Sequence, residues 1–305
     1  MNYAAPWWLP GGNLQTIWAA LRSQRFMGLQ PLFRRERWTT PDSDFVDVDW
    51  SVHTAAEGIL RQAQDEPGAA KSLGAQFSAG PPQGKLAPSG GSVLREAKSV
   101  GAIPLLVIFH GLEGSSASHY AEAFADVARS RGWACAVPHF RGCSGELNLG
   151  PRAYHSGDFA EIDWILKRFA SHHAGPVMAV GISLGGNALM RWAAEEGAQA
   201  RQVVAAVASV CSPLDLAASG WAIGRGFNRQ VYTRMFLRSM VPKALMKLDQ
   251  HPGLFDREKL LAARDLYEFD NIFTAPLHGF KNADDYWVAP RPNRTCTALP
   301  FPRWP

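Results

Sequence analysis

From residue 104 onward, continuous apolar runs alternate with stretches in which apolar residues recur at helical spacing. The candidate strands are residues 104–111, 133–140, 176–182 and 203–211. Such unbroken apolar runs are typical of strands that are buried on both faces. The candidate helices are residues 119–131, 159–169 and 184–196. Strands that alternate with helices predict an α/β fold, with a mainly parallel sheet and helices on both faces.

The pattern before residue 104 is different. In residues 45–53, Val46 and Val48 alternate with Asp47 and Asp49, which predicts a half-buried strand. Residues 57–101 are rich in Gly, Pro, Ser, Gln and Ala and have no sustained apolar period. We expect this segment to be a flexible insertion, because it cannot bury enough surface to offset the entropy lost on ordering.

The last third of the chain again differs. Residues 213–288 contain helical patterns with aromatic and basic residues, and we expect them to form a lid over an active site. Residues 290–305 hold five prolines in sixteen positions. A segment of that composition neither continues a helix nor makes a central strand.

Composition excludes some classes of function. The chain has 305 residues and a formal net charge of +4, which is too weak a charge to indicate nucleic-acid binding without a clustered patch. The densest basic run is Arg34, Arg35 and Arg37, which we interpret as a solvated loop. No signal-peptide pattern is seen, and no apolar stretch is long enough to cross a bilayer.

The cysteines bear on the cellular compartment of the protein, and the first residues of the chain bear on its partners. The four cysteines form no CxxC pair, so no zinc site is expected, and free thiols favour a cytoplasmic location. The tryptophans Trp7, Trp8 and Trp18 could touch a membrane surface. We favour packing on the domain instead, because Trp is commonly buried in globular folds.

The main chemical signal is the segment Gly181-Ile182-Ser183-Leu184-Gly185. It has the form G-x-S-x-G and lies between a predicted strand and a predicted helix, as a nucleophile elbow requires. Small residues two positions either side of the serine let the backbone turn sharply, and the hydroxyl then projects from the sheet. The backbone N–H of Leu184 can act as one oxyanion-hole donor. The competing interpretation is a tight turn that merely uses glycine and serine.

The second signal is His110-Gly111-Leu112, at the end of an earlier predicted strand. In an elbow-containing fold, the loop after that strand supplies a second oxyanion donor, and we assign it to the N–H of Leu112. His110 precedes Ser183, whereas the order in this fold is serine, acid, histidine. We therefore interpret His110 as a structural residue.

Several longer motifs resemble one family. These are residues 6–18, 110–120, 139–148, 151–158 and 181–192, and the segment around Asp284-Asp285-Tyr286-Trp287. Together they resemble the YheT-like branch of the α/β-hydrolases, over residues 6–53 and 102–288. Members of that branch are serine hydrolases, described as short-chain carboxylesterases or acylglycerol lipases. The resemblance implies a Ser-Asp-His triad with Ser183 as nucleophile, and it implies neither a metal nor an organic cofactor.

The chain departs from that family in two places. Residues 57–101 look inserted, and the resemblance ends near Val288. The family's acid lies in an N-D-P-like motif and its histidine in a G-G-H-like motif, and neither motif is found in this chain. We therefore expect a truncated or frameshifted C-terminal part that lacks the last strands of the sheet and two members of the triad.

The resulting domain prediction has three parts. Residues 1–44 form an N-terminal extension packed on the core, residues 45–288 form the α/β-hydrolase domain, and residues 289–305 form a tail outside the family.

Other residues could replace the missing triad members. One set joins Ser183 to Asp215 and His278, and another pairs His251 with Asp256 at the H-x4-D spacing of some acyltransferases. The competing interpretation makes Asp215 a helix cap and His278 a packed lid residue.

We interpret two residues on the loops that precede Ser183 as structural. Cys143 has no neighbouring base in sequence, so we interpret it as a structural loop residue. Asp158 is expected to cap the helix that follows it.

Two functions remain at this stage. The first is hydrolysis of a small-molecule carboxylic ester, with an apolar acyl chain held under the lid. The second is a catalytically inactive α/β-hydrolase scaffold, because the acid and the histidine are missing.

Overall fold

The computed structural model describes residues 4–22, 25–52 and 102–289. A sheet of six strands lies at its centre. The strands are Leu32–Thr39 (β1), Phe45–Val52 (β2), Leu105–Phe109 (β3), Ala134–Pro138 (β4), Val177–Ile182 (β5) and Ala206–Val210 (β6). Their order in the sheet is β1-β2-β4-β3-β5-β6. The strands from β3 to β6 run parallel, while β1 and β2 are antiparallel, so the predicted mainly parallel α/β sheet is confirmed.

The longer helices are Gly11–Arg22 (α1), His119–Ser130 (α2), Phe159–His172 (α3), Leu184–Glu196 (α4), Leu216–Ile223 (α5), Arg234–Gln250 (α6), Arg257–Ala262 (α7) and Ala283–Val288 (α8). Shorter helical turns span Gly197–Gln199, Ala200–Val203, Gly226–Asn228, Arg229–Thr233, Leu266–Phe269, Asp270–Thr274 and Ala275–Leu277. None of the described helices is both long and apolar enough to cross a membrane.

Strand β3 shows why the sheet is covered on both faces. All five of its residues are buried, and they alternate between two apolar clusters. Leu105, Val107 and Phe109 pack with residues of α3 and α4, while Leu106 and Ile108 pack with residues of α2. Successive side chains of a strand point to opposite faces, so an unbroken apolar run serves both layers.

Helix α3 begins as predicted. The side chain of Asp158 accepts a hydrogen bond from the backbone N–H of Glu161, which satisfies one of the free donors of the first turn. The predicted cap is therefore confirmed.

The basic run is exposed, as interpreted, but it does not form a loop. Arg34, Arg35 and Arg37 lie on β1, which pairs antiparallel with β2. The register places Arg35 opposite Asp49 and Arg37 opposite Asp47, and each arginine makes a two-nitrogen contact with its carboxylate. Opposite charges directly across a strand pair stabilise it, a pattern that hydrophobic period alone does not detect. The sheet thus begins inside residues 1–44.

The burial expected for the strand in residues 203–211 is also wrong. The strand is present as β6, but four of its five residues are exposed. The reason is its position, since β6 lies at one edge of the sheet in the described part of the chain. An apolar run predicts a strand, but it does not show whether a neighbouring element covers that strand.

The N-terminal tryptophans do not pack as expected. Trp7, Trp8 and Trp18 are all exposed, and α1 contains no buried residue. The expected flexible insertion at 57–101 and the tail beyond residue 289 lie outside the described residues.

Candidate active site

The backbone turns sharply at Ser183, between β5 and α4. Its φ of 51° and ψ of −118° lie in a region that non-glycine residues rarely adopt. The N–H of Ser183 donates to the carbonyl oxygen of Val210 at 2.9 Å, and its own carbonyl accepts from the N–H of Asn187 at 3.0 Å. These two bonds hold the strained residue in place. The sharp strand-to-helix turn that the sequence predicts is present.

Steric contacts explain the glycines around Ser183. A Cβ atom on Gly181 would lie 2.5 Å from the carbonyl oxygen of Gly185. A Cβ atom on Gly185 would lie 2.4 Å from the carbonyl oxygen of His110. Both distances are far below van der Waals contact, and both neighbours are backbone atoms that cannot move aside alone. The G-x-S-x-G spacing is therefore a packing requirement of this turn.

The loop after β3 lies beside the turn. A Cβ atom on Gly111 would lie 3.2 Å from the Cβ of Ser183. Leu112, Ser183 and Leu184 line the same cleft. In the described residues, neither the N–H of Leu112 nor that of Leu184 donates a hydrogen bond. The structure thus brings together the three predicted site residues, with two unpaired amide donors next to one hydroxyl.

Two tyrosines fix the loop that carries Leu112. The hydroxyl of Tyr120 accepts from the N–H of Gly111 at 2.9 Å, and that of Tyr154 accepts from the N–H of Glu113 at 3.0 Å. Glu113 has a φ of 58°, so the loop turns directly after Leu112. Tyr154 also donates to Oε1 of Glu113 at 2.7 Å.

A lid residue reaches the same loop. Nζ of Lys243, on α6, donates to Oε1 of Glu113 at 3.0 Å. Sequence reasoning missed Glu113, Tyr154 and Lys243. The first two lie inside the motifs HGLEGSSASHY and PRAYHSGD, which could have drawn attention to them.

His110 is a structural residue in this arrangement. Its side chain is fully buried, Nε2 accepts from the N–H of Phe140 at 3.0 Å, and Nδ1 donates to the carbonyl of Gly111 at 2.8 Å. These partners require a neutral ring with its proton on Nδ1. Burial lowers the pKa of His110 to about 3. The ring joins the loop of Leu112 to the end of β4.

We expect His110 to make the protein less stable in acid. Because its folded pKa of about 3 lies below the usual 6.5, its stabilising effect is complete above pH 6.5 and is lost as the pH falls toward 3. Urea unfolding of the wild type and of His110→Asn at pH about 7 and about 4.5 measures this effect. The wild type should lose more unfolding free energy than the variant on acidification.

A suitable control is His172→Asn, since His172 is exposed on α3. This variant should keep the full acid sensitivity of the wild type. Equal losses in the wild type and in His110→Asn would contradict the assignment of the effect to His110.

The structure gives other roles to Asp215 and His278. Asp215 caps α5, with Oδ1 accepting from the N–H of Ala218 at 2.9 Å. His278 packs against His155 with ring centroids 4.1 Å apart, and it does not line the cleft of Ser183. These contacts favour the interpretation of both as structural residues.

The second alternative pair is likewise engaged elsewhere. Nε2 of His251 donates to the carbonyl oxygen of Leu149 at 2.8 Å. Asp256 caps α7, accepting from the N–H of Lys259 at 3.1 Å. Both side chains therefore have structural partners.

Asp215→Asn should distinguish a cap from a catalytic acid. Asn caps helices about as well as Asp, so we expect ester hydrolysis to stay within about threefold of wild type. Replacing a triad acid by its amide costs about 10⁴-fold in kcat. Steady-state hydrolysis of p-nitrophenyl butyrate measures the difference. As a control for the cap, Asp215→Ala should lower the unfolding free energy by about 1 kcal/mol. A large loss of rate in Asp215→Asn would instead assign this residue to catalysis.

The cleft encloses about 1110 Å³ of empty space, counting the solvent at its mouth. Core residues form its floor, and residues from 213–288 form much of its wall. The large apolar residues of that wall include Leu216, Ile223, Phe236, Met240, Leu266, Phe269, Phe273 and Trp287. The predicted lid region is thus helical and borders the cleft that contains Ser183.

Polar groups in and near the cleft are mostly paired. Asp270 accepts from Thr274 Oγ1 and from Trp287 Nε1, and burial raises its pKa to about 6. Burial raises the pKa of Cys143 to about 11, so its thiol stays protonated at neutral pH. In the part of the chain that is described, no group of three or more His, Cys, Asp or Glu side chains could hold a metal ion.

No described side chain is hydrogen-bonded to Oγ of Ser183. Among the described histidines, only His155 lines the cleft. Its Nδ1 donates to the carbonyl of Ser156 at 2.7 Å, and its Nε2 lies 3.8 Å from Asp158. The described residues therefore contain the serine and the amide donors without a base bonded to the serine.

Comparison with known proteins agrees with this fold. Residues 104–238 match a family model described as alpha/beta hydrolase fold. The chain is 36% identical over 285 residues to the putative esterase YheT of Escherichia coli strain K12, an alignment that covers 90% of this chain and 68% of that protein. The chain therefore belongs to the α/β-hydrolase family. Within that family it belongs to the branch of YheT.

Two relatives of lower sequence identity are named as a phospholipase and a lipase. The chain is 26% identical over 207 residues to phospholipase ABHD3 of Mus musculus, covering 65% of this chain and 48% of that protein. It is 29% identical over 198 residues to the monoacylglycerol lipase of Saccharomyces cerevisiae, covering 61% of this chain and 43% of that protein. The chain spans somewhat less than half the length of these two relatives.

Proposed function

We propose that this protein hydrolyses carboxylic esters with Ser183 as the nucleophile. The observation that carries the proposal is the meeting of three groups in one cleft. Ser183 stands on a strained turn, and Leu112 and Leu184, whose N–H groups have no hydrogen-bond partner among the described residues, line the same cleft. Relatives named as esterase, phospholipase and monoacylglycerol lipase support the same class of reaction.

The reaction follows from this geometry. Oγ of Ser183 attacks the ester carbonyl carbon, and its proton passes to a general base, a group that the described residues do not supply and that would then give the proton to the departing alcohol oxygen. The N–H groups of Leu112 and Leu184 stabilise the negative charge that develops on the carbonyl oxygen. The alcohol leaves, and water then releases the acid from the acyl-serine. Because α4 begins at Leu184, the positive end of its dipole also faces the developing charge.

The cleft favours an apolar acyl chain. Its wall from the lid region is built largely of aliphatic and aromatic side chains such as Ile223, Phe236 and Phe273. Burying an alkyl chain against them is favourable at about 0.8 kcal/mol per methylene group. The polar end of the substrate then lies toward Ser183.

A second candidate is an inactive scaffold of the same fold. It is favoured by one observation, namely that no described side chain is hydrogen-bonded to Oγ of Ser183. A serine without its base keeps only the acceleration that the oxyanion hole and substrate binding provide, about 10³- to 10⁴-fold over water.

The test is hydrolysis of p-nitrophenyl acetate and p-nitrophenyl butyrate by the wild-type chain and by a Ser183→Ala variant. A rate that depends on Ser183 supports the proposed function, and a faster reaction with butyrate supports the apolar acyl site. Equal rates with and without the serine hydroxyl support the scaffold.

A further inference from the structure

Helix α1 presents its apolar side to solvent. Leu14, Trp18 and Leu21 follow one another at spacings of four and three residues, so they lie on one side of the helix. Their exposed fractions are 46%, 43% and 74%. The apolar stripe of a surface helix ordinarily faces the core. This stripe is therefore available to a partner.

The residues before α1 extend the same apolar surface. Trp7 is 91% exposed, and Trp8 meets Trp18 edge to face with centroids 4.8 Å apart. After the helix, Met27 and Leu29 are exposed as well. A polar anchor holds this region on the protein, because the N–H of Met27 donates to Asp126 of α2 at 2.8 Å.

The lid region continues this surface. The hydroxyl of Tyr232 donates to Oδ1 of Asn13 at 3.3 Å, which places α1 beside the chain between α5 and α6. Trp221, Phe227 and Met235, which lie near Tyr232 in the chain, are exposed. We call residues 7–22, 25–29 and 221–238 together the α1–lid surface.

The charge of this surface has a single sign. No Asp or Glu occurs in residues 4–35 or in residues 216–248, although the whole chain contains 27 acidic residues. The exposed arginines of the α1–lid surface include Arg22, Arg225, Arg229, Arg234 and Arg238. The guanidinium carbon of Arg225 lies 5.7 Å from the ring centroid of Trp221. Cations and aromatic rings are thus interleaved on this surface. The carboxylates that contact it, Glu122 paired with Arg25 at 3.4 Å and Asp126, belong to α2 and are buried.

We propose that the α1–lid surface docks on an anionic phospholipid surface. Exposed Trp and Leu side chains insert at the boundary of headgroups and acyl chains, where aromatic rings are favoured. The arginines remain at headgroup level and attract anionic lipid. A two-fold contact between two copies would instead bring these cationic surfaces face to face, which is unfavourable.

The α1–lid surface shares two helices with the cleft, which bears on how a substrate would enter it. Helices α5 and α6 carry Trp221 and Met235 on the exposed side, and they also carry Ile223 and Phe236 in the wall of the cleft. Docking therefore places the cleft wall next to the lipid. This inference goes beyond the proposed ester hydrolysis, because binding to a surface does not require the serine.

Sedimentation with vesicles tests the proposal on the full chain. The probes are phosphatidylcholine vesicles with and without phosphatidylglycerol. We expect binding to the anionic vesicles and at least about 25-fold weaker binding to the neutral ones, the effect of two basic side chains at about fivefold each. Trp7→Ser/Trp18→Ser should weaken binding by about tenfold or more. Arg225→Gln/Arg229→Gln should weaken it by about fivefold for each arginine and reduce its salt sensitivity.

Matched controls lie away from the surface. Ile103 is 59% exposed next to the amino end of β3, whereas Ser183 lies at the carboxyl end of the parallel strands. Ile103→Ser and Arg201→Gln should bind as the wild type does. Ser183→Ala should also bind fully, which separates this proposal from the proposed catalysis. Circular dichroism shows that each variant is folded.

Three results would overturn the proposal. The first is no binding to anionic vesicles, and the second is equal binding by the wild type and both surface variants. The third is a wild-type dimer in light scattering that Trp7→Ser/Trp18→Ser dissociates, since a second copy would then be the occupant.

Discussion

The Ser183→Ala variant is expected to hydrolyse p-nitrophenyl butyrate at least about 10⁴-fold more slowly than the wild type. In the proposed reaction the hydroxyl supplies the atom that attacks the carbonyl carbon, and no other side chain stands on the strained turn between β5 and α4. The alanine variant keeps the amides of Leu112 and Leu184, so only their residual acceleration should remain. Initial rates under saturating substrate measure the difference.

Ser219→Ala is a matched control for this experiment. Ser219 lines the same cleft but lies on α5, away from the turn. Its replacement should leave the rate within about twofold, as expected for a substitution that touches no reacting group. If the wild type is no faster than Ser183→Ala, the protein is the inactive scaffold of this fold.

Gly185→Ala is expected to lower the free energy of unfolding by about 3 kcal/mol. The added Cβ would lie 2.4 Å from the carbonyl oxygen of His110 and 2.5 Å from that of Phe109. Helix α4 would have to move away from β3 to relieve these contacts, and the apolar layer between them would lose its close packing. Urea unfolding monitored by tryptophan fluorescence measures the loss.

Gly12→Ala provides the comparison for Gly185→Ala. A Cβ atom on Gly12 would meet no heavy atom within 4 Å, and Gly12 lies in α1. Because Ala has a higher helix propensity, this variant should be neutral or more stable by up to about 1 kcal/mol. Equal behaviour of the two alanine variants would show that Gly185 is not sterically required.

The parts of the fold that the sequence predicted best are those that a single physical pattern determines. The apolar runs at 104–111 and 176–182 became β3 and β5, because both faces of these strands are covered by helices. The glycines at 181 and 185 predicted the turn, because only small residues fit against the neighbouring backbone. These signals are local in sequence.

The features that the sequence did not reveal depend on distant contacts. The pairing of Arg35 with Asp49 needs a hairpin register, and the exposure of β6 depends on which strand lies next to it. The support of the Leu112 loop by Tyr154 and Lys243 joins residues more than forty positions away from it in the chain. A pattern along one segment contains no information about such neighbours.

The hydrogen bond from the N–H of Ser183 to the carbonyl oxygen of Val210 links the turn at Ser183 to β6, an edge strand of the sheet in the part of the chain that the structure describes. The last strands of a sheet open most readily in local unfolding, because they have a partner on one side only. Each opening of β6 at Val210 removes an anchor of the Ser183 backbone. We therefore expect the orientation of the Ser183 side chain to depend on how often β6 opens, so a molecule that clamps this strand should also steady the serine.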